Sequence, residues 1–205
     1  MAYYSMESAE DKILKRIRGK GRGSIVFQSD YAECGSPAAI KSAFYRLYSD
    51  GTLIRLAQGI YYYPKYDKEL GLGIIYPSIE QIAEAIAKRD RVKIVPTGVY
   101  ALNKLGLSDQ IPMNVVFVTN GAPRRIQVGK RNGILFKHSS SGKMFAYKSD
   151  MMMLVVSAMR EIGQGSITEN QILKLRKYVN QVGESEFAHD IKLAPIWIRQ
   201  ILMTQ

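Results

Sequence analysis

The side chains best suited to chemistry in this chain are small, polar or basic, and they are most concentrated between Ser36 and Pro64. The stretch opens with Ser-Pro-Ala-Ala-Ile-Lys-Ser, and a later Asp-Gly pair is followed by two short runs rich in aliphatic and tyrosine residues. Small and polar side chains at the start of a helix can approach base edges in the DNA major groove. The pattern predicts non-covalent recognition of duplex DNA.

The predicted DNA contacts come from a recognition helix, a wing and a glycine-rich loop. Lys41 and Tyr45 would reach bases or phosphates, whereas Arg46, on the flank of the helix, would meet a phosphate. The same helix could instead serve a protein–protein module, and the loop could be a flexible turn with solvated charges. The full predicted set is Ser36, Ala38, Ala39, Lys41, Ser42, Tyr45, Arg46, Arg55, Gln58, Lys65, Lys20 and Arg22.

A second basic patch is predicted on a hairpin further along the chain. Its residues are Arg124, Arg125, Lys130 and Arg131, and they could extend the DNA contact or bind an acidic partner. The alternative is a hairpin whose solvated charges only protect its exposed strand edges, which is the common reason for such a pattern.

Catalytic and metal-binding motifs are missing from the sequence. His138, His189 and Cys34 lie far apart, so they form no metal-ligand spacing and no nucleophile–histidine pair. The chain contains neither a phosphate-binding G-x-x-x-x-G-K-[ST] loop nor an Asp-x-Asp pair. We therefore predict no enzyme activity, no cofactor and no metal. A nuclease or nucleotidyltransferase that docks through the wing, and an interaction module without DNA binding, are the alternatives.

The charge distribution agrees with a nucleic-acid partner. The 205 residues carry a net charge of +11 with a sequence pI near 9.7, and basic proteins of this size often bind nucleic acid. Residues 1–68 contribute +4, residues 69–150 contribute +6 and residues 151–205 contribute +1. The absence of a long apolar run and of a signal-peptide pattern predicts a cytoplasmic protein without a membrane partner.

Helical periodicity and turn residues predict the elements that would hold these side chains. Helices are expected over 7–18, 30–34 with Ser29 as its cap, and 37–49 with Ser36 as its cap and Gly51 as its stop. A short strand, 24–27, and two wing strands, 52–56 and 60–63, complete a winged helix-turn-helix domain over residues 1–68, followed by a linker over 64–73.

The rest of the chain predicts a mixed domain over residues 74–205. Helices are expected over 78–88 and 97–105, and strands over 92–95, 114–118, 124–128 and 134–137, with Asn132-Gly133 in a hairpin turn. Helices over 150–162, 168–182, 184–191 and 195–203 close the chain. The predicted fold class is α+β, with an N-terminal winged helix-turn-helix and a mixed α+β C-terminal domain that ends in helices.

Several stretches of the sequence together carry a family resemblance. They are Gly35-Ser36, Ala38-Ala39-Ile40, Arg46-Leu47 and Gly59-Ile60-Tyr61 in the first region, and Pro77-Ser78-Ile79-Glu80, Ile94 to Asn103, Leu105 to Ser108, and Leu193-Ala194-Pro195 further along. In these stretches the chain resembles AbiEi-type antitoxins and transcriptional regulators with DUF6088-like members.

This resemblance implies a bacterial protein that binds operator repeats upstream of its own genes and represses them. It also implies a partner, a nucleotidyltransferase-like toxin that the protein counteracts, as in a type IV toxin–antitoxin system. The DNA-reading role carries over to Ala38, Ala39, Lys41, Ser42 and Tyr45.

Overall fold

The computed structural model shows a mixed α+β protein, which confirms the α+β part of the predicted fold class, while the winged helix-turn-helix stays a prediction. It describes residues 7–67, 69, 71–110, 112–130 and 132–203. The chain forms two compact units: residues 1–85 with 127–131, and residues 86–126 with 132–205.

The first unit begins with helix α1 (Ala9–Lys20), two residues later than its acidic start suggests. Ser8 caps it, because the Ser8 hydroxyl accepts from the Asp11 N–H while the Asp11 carboxylate accepts from the Ser8 N–H. Strand β1 (Ile25–Phe27) follows, and then a 3₁₀ helix, Gln28–Cys34. The predicted Ser29 cap is wrong, because the helix already begins at Gln28 and so includes Ser29. The Ser29 hydroxyl bonds to the Asp30 carboxylate.

Helix α2 (Pro37–Ser49) confirms the predicted helix and its cap. The Ser36 hydroxyl accepts from the Ala39 N–H at 3.3 Å, and Pro37 occupies the first turn, where its missing N–H costs nothing. Gly51, at a φ of +79°, turns the chain after the helix. The helix buries one stripe: Ile40, Ala43, Phe44 and Leu47.

The stripe shares its core with residues of α1, the 3₁₀ helix and a small sheet. Strands β2 (Ile54–Ala57) and β3 (Ile60–Tyr62) form a hairpin whose turn uses Gly59 at a φ of +70°. The strand order is β1-β3-β2, all antiparallel. The core between helices and sheet holds Phe44 against the rings of Tyr31 and Tyr61, at centroid distances of 5.4 and 4.9 Å.

The predicted linker over 64–73 is wrong, because this stretch contains strand structure. Strand β4 (Lys65–Asp67) pairs antiparallel with β5 (Gly73–Ile75), with Tyr66 opposite Ile74. The Tyr62 hydroxyl donates to the Ile75 carbonyl oxygen at 2.6 Å and so ties this hairpin to β3. Pro64 and the glycines suggested a loop, yet three residues on each side of the turn pair, and Gly73 itself lies opposite Asp67.

Helix α3 (Ile79–Asp90) follows, and the division between the units falls within it. Most of a four-stranded sheet, of order β6-β7-β9-β8, then lies in the second unit. Its strands are β6 (Ile94–Pro96), β7 (Asn114–Thr119), β8 (Arg124–Val128) and β9 (Asn132–His138). β7 runs parallel to β9, from Asn114 opposite Gly133 to Thr119 opposite His138.

The predicted Asn-Gly turn between the last two strands is wrong. Asn132 and Gly133 belong to β9, and Gly129, at a φ of +59°, lies in the turn instead. Gly133 is buried, and a Cβ there would overlap the Asn114 side chain. Its small size serves close strand packing, and not a reversal of the chain.

Helices build the rest of the second unit, as predicted. They are α4 (Gly98–Lys104), α5 (Asp150–Ile162), α6 (Glu169–Val179), α7 (Glu184–Asp190) and α8 (Ile196–Met203). Their core includes Met152, Val155, Leu175 and Ile198, all fully buried. Within the described ranges, no helix has the length and apolar character to cross a membrane.

A buried carboxylate fixes the start of α5. Asp190 has no exposed surface, and its two oxygens accept from the backbone N–H groups of Lys148 and Ser149 at 2.9 and 2.8 Å. His189 Nδ1 lies 2.8 Å from the same carboxylate. Asp190 thus connects the end of α7 to the residues just before α5. A buried carboxylate is stable only with such donors, so this connection is needed wherever Asp190 is buried.

Candidate nucleic-acid interface

The outer face of α2 is exposed along its length. Lys41, Ser42 and Tyr45 are all exposed, and Tyr45 keeps 66% of its surface accessible. Ala38 is exposed and Ala39 is half-buried, so the first turn presents no bulky side chain. The Ser36 hydroxyl is already engaged as the cap of the helix. This face can therefore approach a flat or grooved partner closely, with one cation and one phenol projecting.

Arg46 has a partner within the protein. Its Nε lies 2.5 Å from an oxygen of Glu10, which ties the exposed flank of α2 to α1. The pair is largely exposed, so it contributes little to stability, although it orients the guanidinium. The predicted phosphate contact by Arg46 would have to compete with Glu10.

The glycine-rich loop holds Arg22 against aromatic rings. Its guanidinium lies 4.8 Å from the Tyr63 ring centre and 5.4 Å from that of Tyr66, and it donates to the Pro64 carbonyl oxygen at 3.0 Å. Cation–π contacts of this kind fix an arginine without neutralising it. The loop is also next to Lys65, whose side chain would lie 3.8 Å from a Cβ at Gly23. Arg22 and Lys65 are thus brought together at one exposed edge.

Lys20 lies over another aromatic ring. Its ammonium group is 5.4 Å from the ring centre of Tyr31, which is itself 1% exposed. Burial raises the pKa of Tyr31 to about 12, with a smaller contribution from the Asp30 carboxylate. Tyr31 is therefore neutral at physiological pH, and Lys20 remains an exposed cation at the end of α1.

The residues predicted to lie on a wing belong to the β2–β3 hairpin and to the strand after it. Arg55 is exposed in β2, opposite Tyr61, and Gln58 is exposed in the β2–β3 turn. Lys65 lies in β4. Contacts of Arg55 and Gln58 with the DNA backbone stay a prediction.

In the second predicted patch, at least one of the basic side chains is paired with a carboxylate. Arg124 is paired with the Asp90 carboxylate, and its guanidinium lies 5.4 Å from the Phe136 ring centre. Arg125 reaches the Asn114 side chain at 3.4 Å, and Lys130 is exposed in the β8–β9 turn. Arg131 lies outside the described residues.

Almost all of the net charge resides in one segment. Residues 88–149 hold 12 Lys/Arg against 2 Asp/Glu, a balance of +10, while the other residues hold 17 against 16, a balance of +1. This segment spans the second sheet and its connections, and it includes exposed Lys93, Lys137 and Lys143. The charge that favours a polyanion is therefore concentrated in residues 88–149, from the last turn of α3 onward, and not in α2.

Two residues of the α2 region were not predicted. Tyr48 is 46% exposed and follows Lys41 by seven residues and Tyr45 by three, so it extends the same face. The helical spacing of Tyr48 from Lys41 and Tyr45 could have identified it from the sequence. Glu10 is the partner of Arg46, but 36 residues separate the two, and no local pattern identifies such a pair.

The described residues contain no group of three His, Cys, Asp or Glu side chains that could hold a metal ion. His138 Nδ1 lies 2.9 Å from the Gly121 carbonyl oxygen. Because a carbonyl only accepts, Nδ1 must carry a proton, and Nε2 is the remaining ring nitrogen.

Sequence comparison places the chain in a family. The profile of a family of unknown function (DUF6088) matches residues 12–187. The chain belongs to this family. No curated protein matches it. Among solved structures, the chain is similar to the RV2827C protein from Mycobacterium tuberculosis, with 13% identity, a TM-score of 0.49, and coverage of 96% of this chain and 82% of that one.

The Asp90 cluster yields a pH-dependent prediction. Burial alone would raise the Asp90 pKa, but hydrogen bonds from Arg89 and Arg124 outweigh it, so the pKa is lowered from 3.8. The cluster therefore stabilises the fold above the unfolded-state pKa, and this contribution is lost as the pH falls through the lower folded-state value. We expect Asp90→Asn to reduce the free energy of unfolding at pH 7 by about 1–2 kcal/mol.

Urea unfolding between pH 7 and pH 2 measures this effect. The difference between wild type and Asp90→Asn should be constant down to the ordinary aspartate pKa, about 3.9, and shrink below it. Asp109→Asn, at an exposed position, is the control and should change little. A difference that stays constant throughout the acid range would contradict the assignment.

Proposed function

We propose that this protein is a sequence-specific, double-stranded DNA-binding transcriptional regulator. Its first unit would act as a winged helix-turn-helix, with α2 as the recognition helix and the β2–β3 hairpin as the wing. The observation that carries the proposal is the outer face of α2, where Ala38, Lys41, Ser42 and Tyr45 are exposed above a fully buried stripe.

The order and sizes of the elements support this role. α1, the 3₁₀ turn, α2 and the β2–β3 hairpin follow one another within about 55 residues. A B-DNA major groove is about 12 Å wide and admits one helix of about that diameter. The low first turn of α2 would let its backbone approach base edges, and Lys41 and Tyr45 would supply the longer contacts.

The charge distribution supports separate roles for the basic segment 88–149 and for the α2 face. Lysine and arginine side chains neutralise phosphates and release counterions, which supplies affinity with little sequence information. The segment 88–149, with its balance of +10, would provide most of this electrostatic attraction. The α2 face, with few charges, would read the sequence.

The antitoxin part of the proposal is carried by the family resemblance. The protein would repress its own operon in the bacterial cytoplasm and would counteract a nucleotidyltransferase-like toxin encoded beside it. Neither role requires a catalytic residue or a cofactor.

We expect operator affinity to fall steeply with salt. Each neutralised phosphate contributes a slope of roughly −0.9 to log affinity against log salt, so six contacts would weaken binding about 10³-fold between 50 and 200 mM. Fluorescence anisotropy with a duplex from the region upstream of the gene measures this slope, with a scrambled duplex as the control. Equal affinity for both duplexes, or no salt dependence, would refute specific DNA binding.

Truncation of the α2 face should weaken specific binding. Lys41→Ala and Tyr45→Ala should each cost about 1–3 kcal/mol for the operator, the usual range for a base contact, with little change for scrambled DNA. Both side chains are exposed, so thermal unfolding should be unaffected. Lys177→Ala, at an exposed position of α6, is the matched control. Wild-type operator affinity in both variants would remove α2 from the reading role.

The antitoxin role is tested in cells. The neighbouring open reading frame is expressed from an inducible promoter with or without this protein. We expect growth arrest from the neighbour alone and recovery when this protein is present, including the Lys41→Ala variant. Arrest without recovery would separate DNA binding from toxin neutralisation and reject the latter.

A further inference from the structure

Helix α6 has an open groove on its outer face. The groove has a volume of about 600 Å³, which lies in the usual range for small-ligand sites. On the opposite side of α6, Leu175 and Val179 are buried in the core of the second unit, so the orientation of the groove is fixed by packing. The described residues that line it recur at helical spacing: Asn170, Leu173, Lys174, Lys177, Tyr178 and Gln181.

The chain that follows α4 holds two of these side chains in place. The Lys174 ammonium group donates to the Gly106 carbonyl oxygen at 2.6 Å, and the Tyr178 hydroxyl donates to the Leu105 carbonyl oxygen at 3.3 Å. Gly106 leaves room for the lysine, because a Cβ at this position would come within 2.9 Å of the ammonium nitrogen. Side chains that are already ordered lose less entropy on binding, so the groove is preorganised for a ligand.

The charge of the groove suits an anion. Among the described residues that line it, Lys174 and Lys177 carry ammonium groups and none carries a carboxylate. The two lysines are three residues apart, so they are neighbours on the helix surface. The Lys174 ammonium group has three N–H donors, of which the Gly106 carbonyl oxygen takes one, and Lys177 is exposed. Both can therefore donate charge-assisted hydrogen bonds to one phosphate group.

The rest of the lining suits a planar ring with polar edges. Tyr178 contributes an aromatic side chain, and it follows Lys174 by four residues, about 6 Å along the helix axis. Leu173 adds apolar surface, since 57% of it is exposed. The amides of Asn170 and Gln181, at the two ends of the groove, each offer donors and an acceptor. Bases stack on aromatic side chains, and amides can pair with their edges.

We propose that the α6 groove binds a free nucleotide. Its phosphates would contact Lys174 and Lys177, its base would stack on the Tyr178 ring, and the Gln181 amide would meet the edge of the base. A nucleic-acid backbone offers the same phosphate chemistry, but a duplex keeps its bases stacked inside and could not place one on Tyr178 without flipping it out. The groove lies outside the α2 region, so the inference does not rest on DNA binding.

Titration calorimetry of the full chain tests the ligand class. ADP and GDP are the probes, while adenosine and inorganic phosphate each carry only one part of a nucleotide. We expect saturable binding of at least one nucleotide, and binding about tenfold or more weaker for each fragment, because stacking and charge-assisted hydrogen bonds both contribute. Absence of binding by both nucleotides, or equal affinity for inorganic phosphate, would overturn the inference.

Variants locate the site on α6. Lys177→Ala should weaken nucleotide binding about tenfold or more, and folding should be retained because the side chain is exposed. Tyr178→Leu should also lower the affinity, whereas Tyr178→Phe, which keeps the ring, should not. Lys143→Ala, at an exposed position of the basic segment 88–149, is the matched control. Equal weakening by Lys143→Ala and Lys177→Ala would indicate diffuse attraction by net charge and reject the site.

Competition with duplex DNA separates the two sources of phosphate. The scrambled duplex, added at the same phosphate concentration as the nucleotide, should leave the nucleotide bound. Displacement of the nucleotide by the duplex would assign the groove to the nucleic-acid backbone and would overturn a site for a free nucleotide. None of these outcomes decides whether α2 reads DNA, since the Lys41→Ala and Tyr45→Ala variants test that role separately.

Discussion

The buried stripe of α2 is the constraint on which the candidate interface depends. Phe44 is fully buried between the rings of Tyr31 and Tyr61, with Ile40 and Leu47 one turn away on either side. Burying a side chain of this size contributes about 1.5–3 kcal/mol, so rotating the helix about its axis would lose several such contributions. The stripe thereby fixes Lys41 and Tyr45 outward, and any role of α2 in recognition follows from this packing.

Aromatic rings position two exposed cations of the first unit. Tyr31 lies beneath Lys20, and Tyr63 and Tyr66 lie beside Arg22. The rings fix the position of these cations and leave their positive charge intact, because a ring face attracts a cation without cancelling its charge. Arg46 and Arg124 differ, since Glu10 and Asp90 balance them. Among the described residues, Lys20 and Arg22 are thus held by aromatic rings, whereas Arg46 and Arg124 are paired with carboxylates.

Local sequence signals predicted the helices well and the connections poorly. Ser36, Pro37 and Gly51 bound α2 because capping and stop signals act within a few residues. The loop predicted from Pro64 to Gly73 and the turn predicted at Asn132-Gly133 were both wrong, and for the same reason. Glycine and proline mark backbone conformations that loops favour, but Gly133 instead relieves crowding against Asn114, 19 residues away in sequence. The parallel pairing of β7 with β9 was likewise invisible, because β8 intervenes and no short-range pattern encodes it.

The sequence by itself determined the α+β class, the buried and exposed faces of α2, and the excess positive charge. These properties follow from residue type and helical period. Only the tertiary structure decided which cations have partners, that the stretch over 64–73 contains strand structure, and that Asp190 binds the two backbone N–H groups just before α5. Each of these depends on groups brought together from distant parts of the chain, and the free energy of such contacts is set by distance and burial, which composition and spacing do not contain.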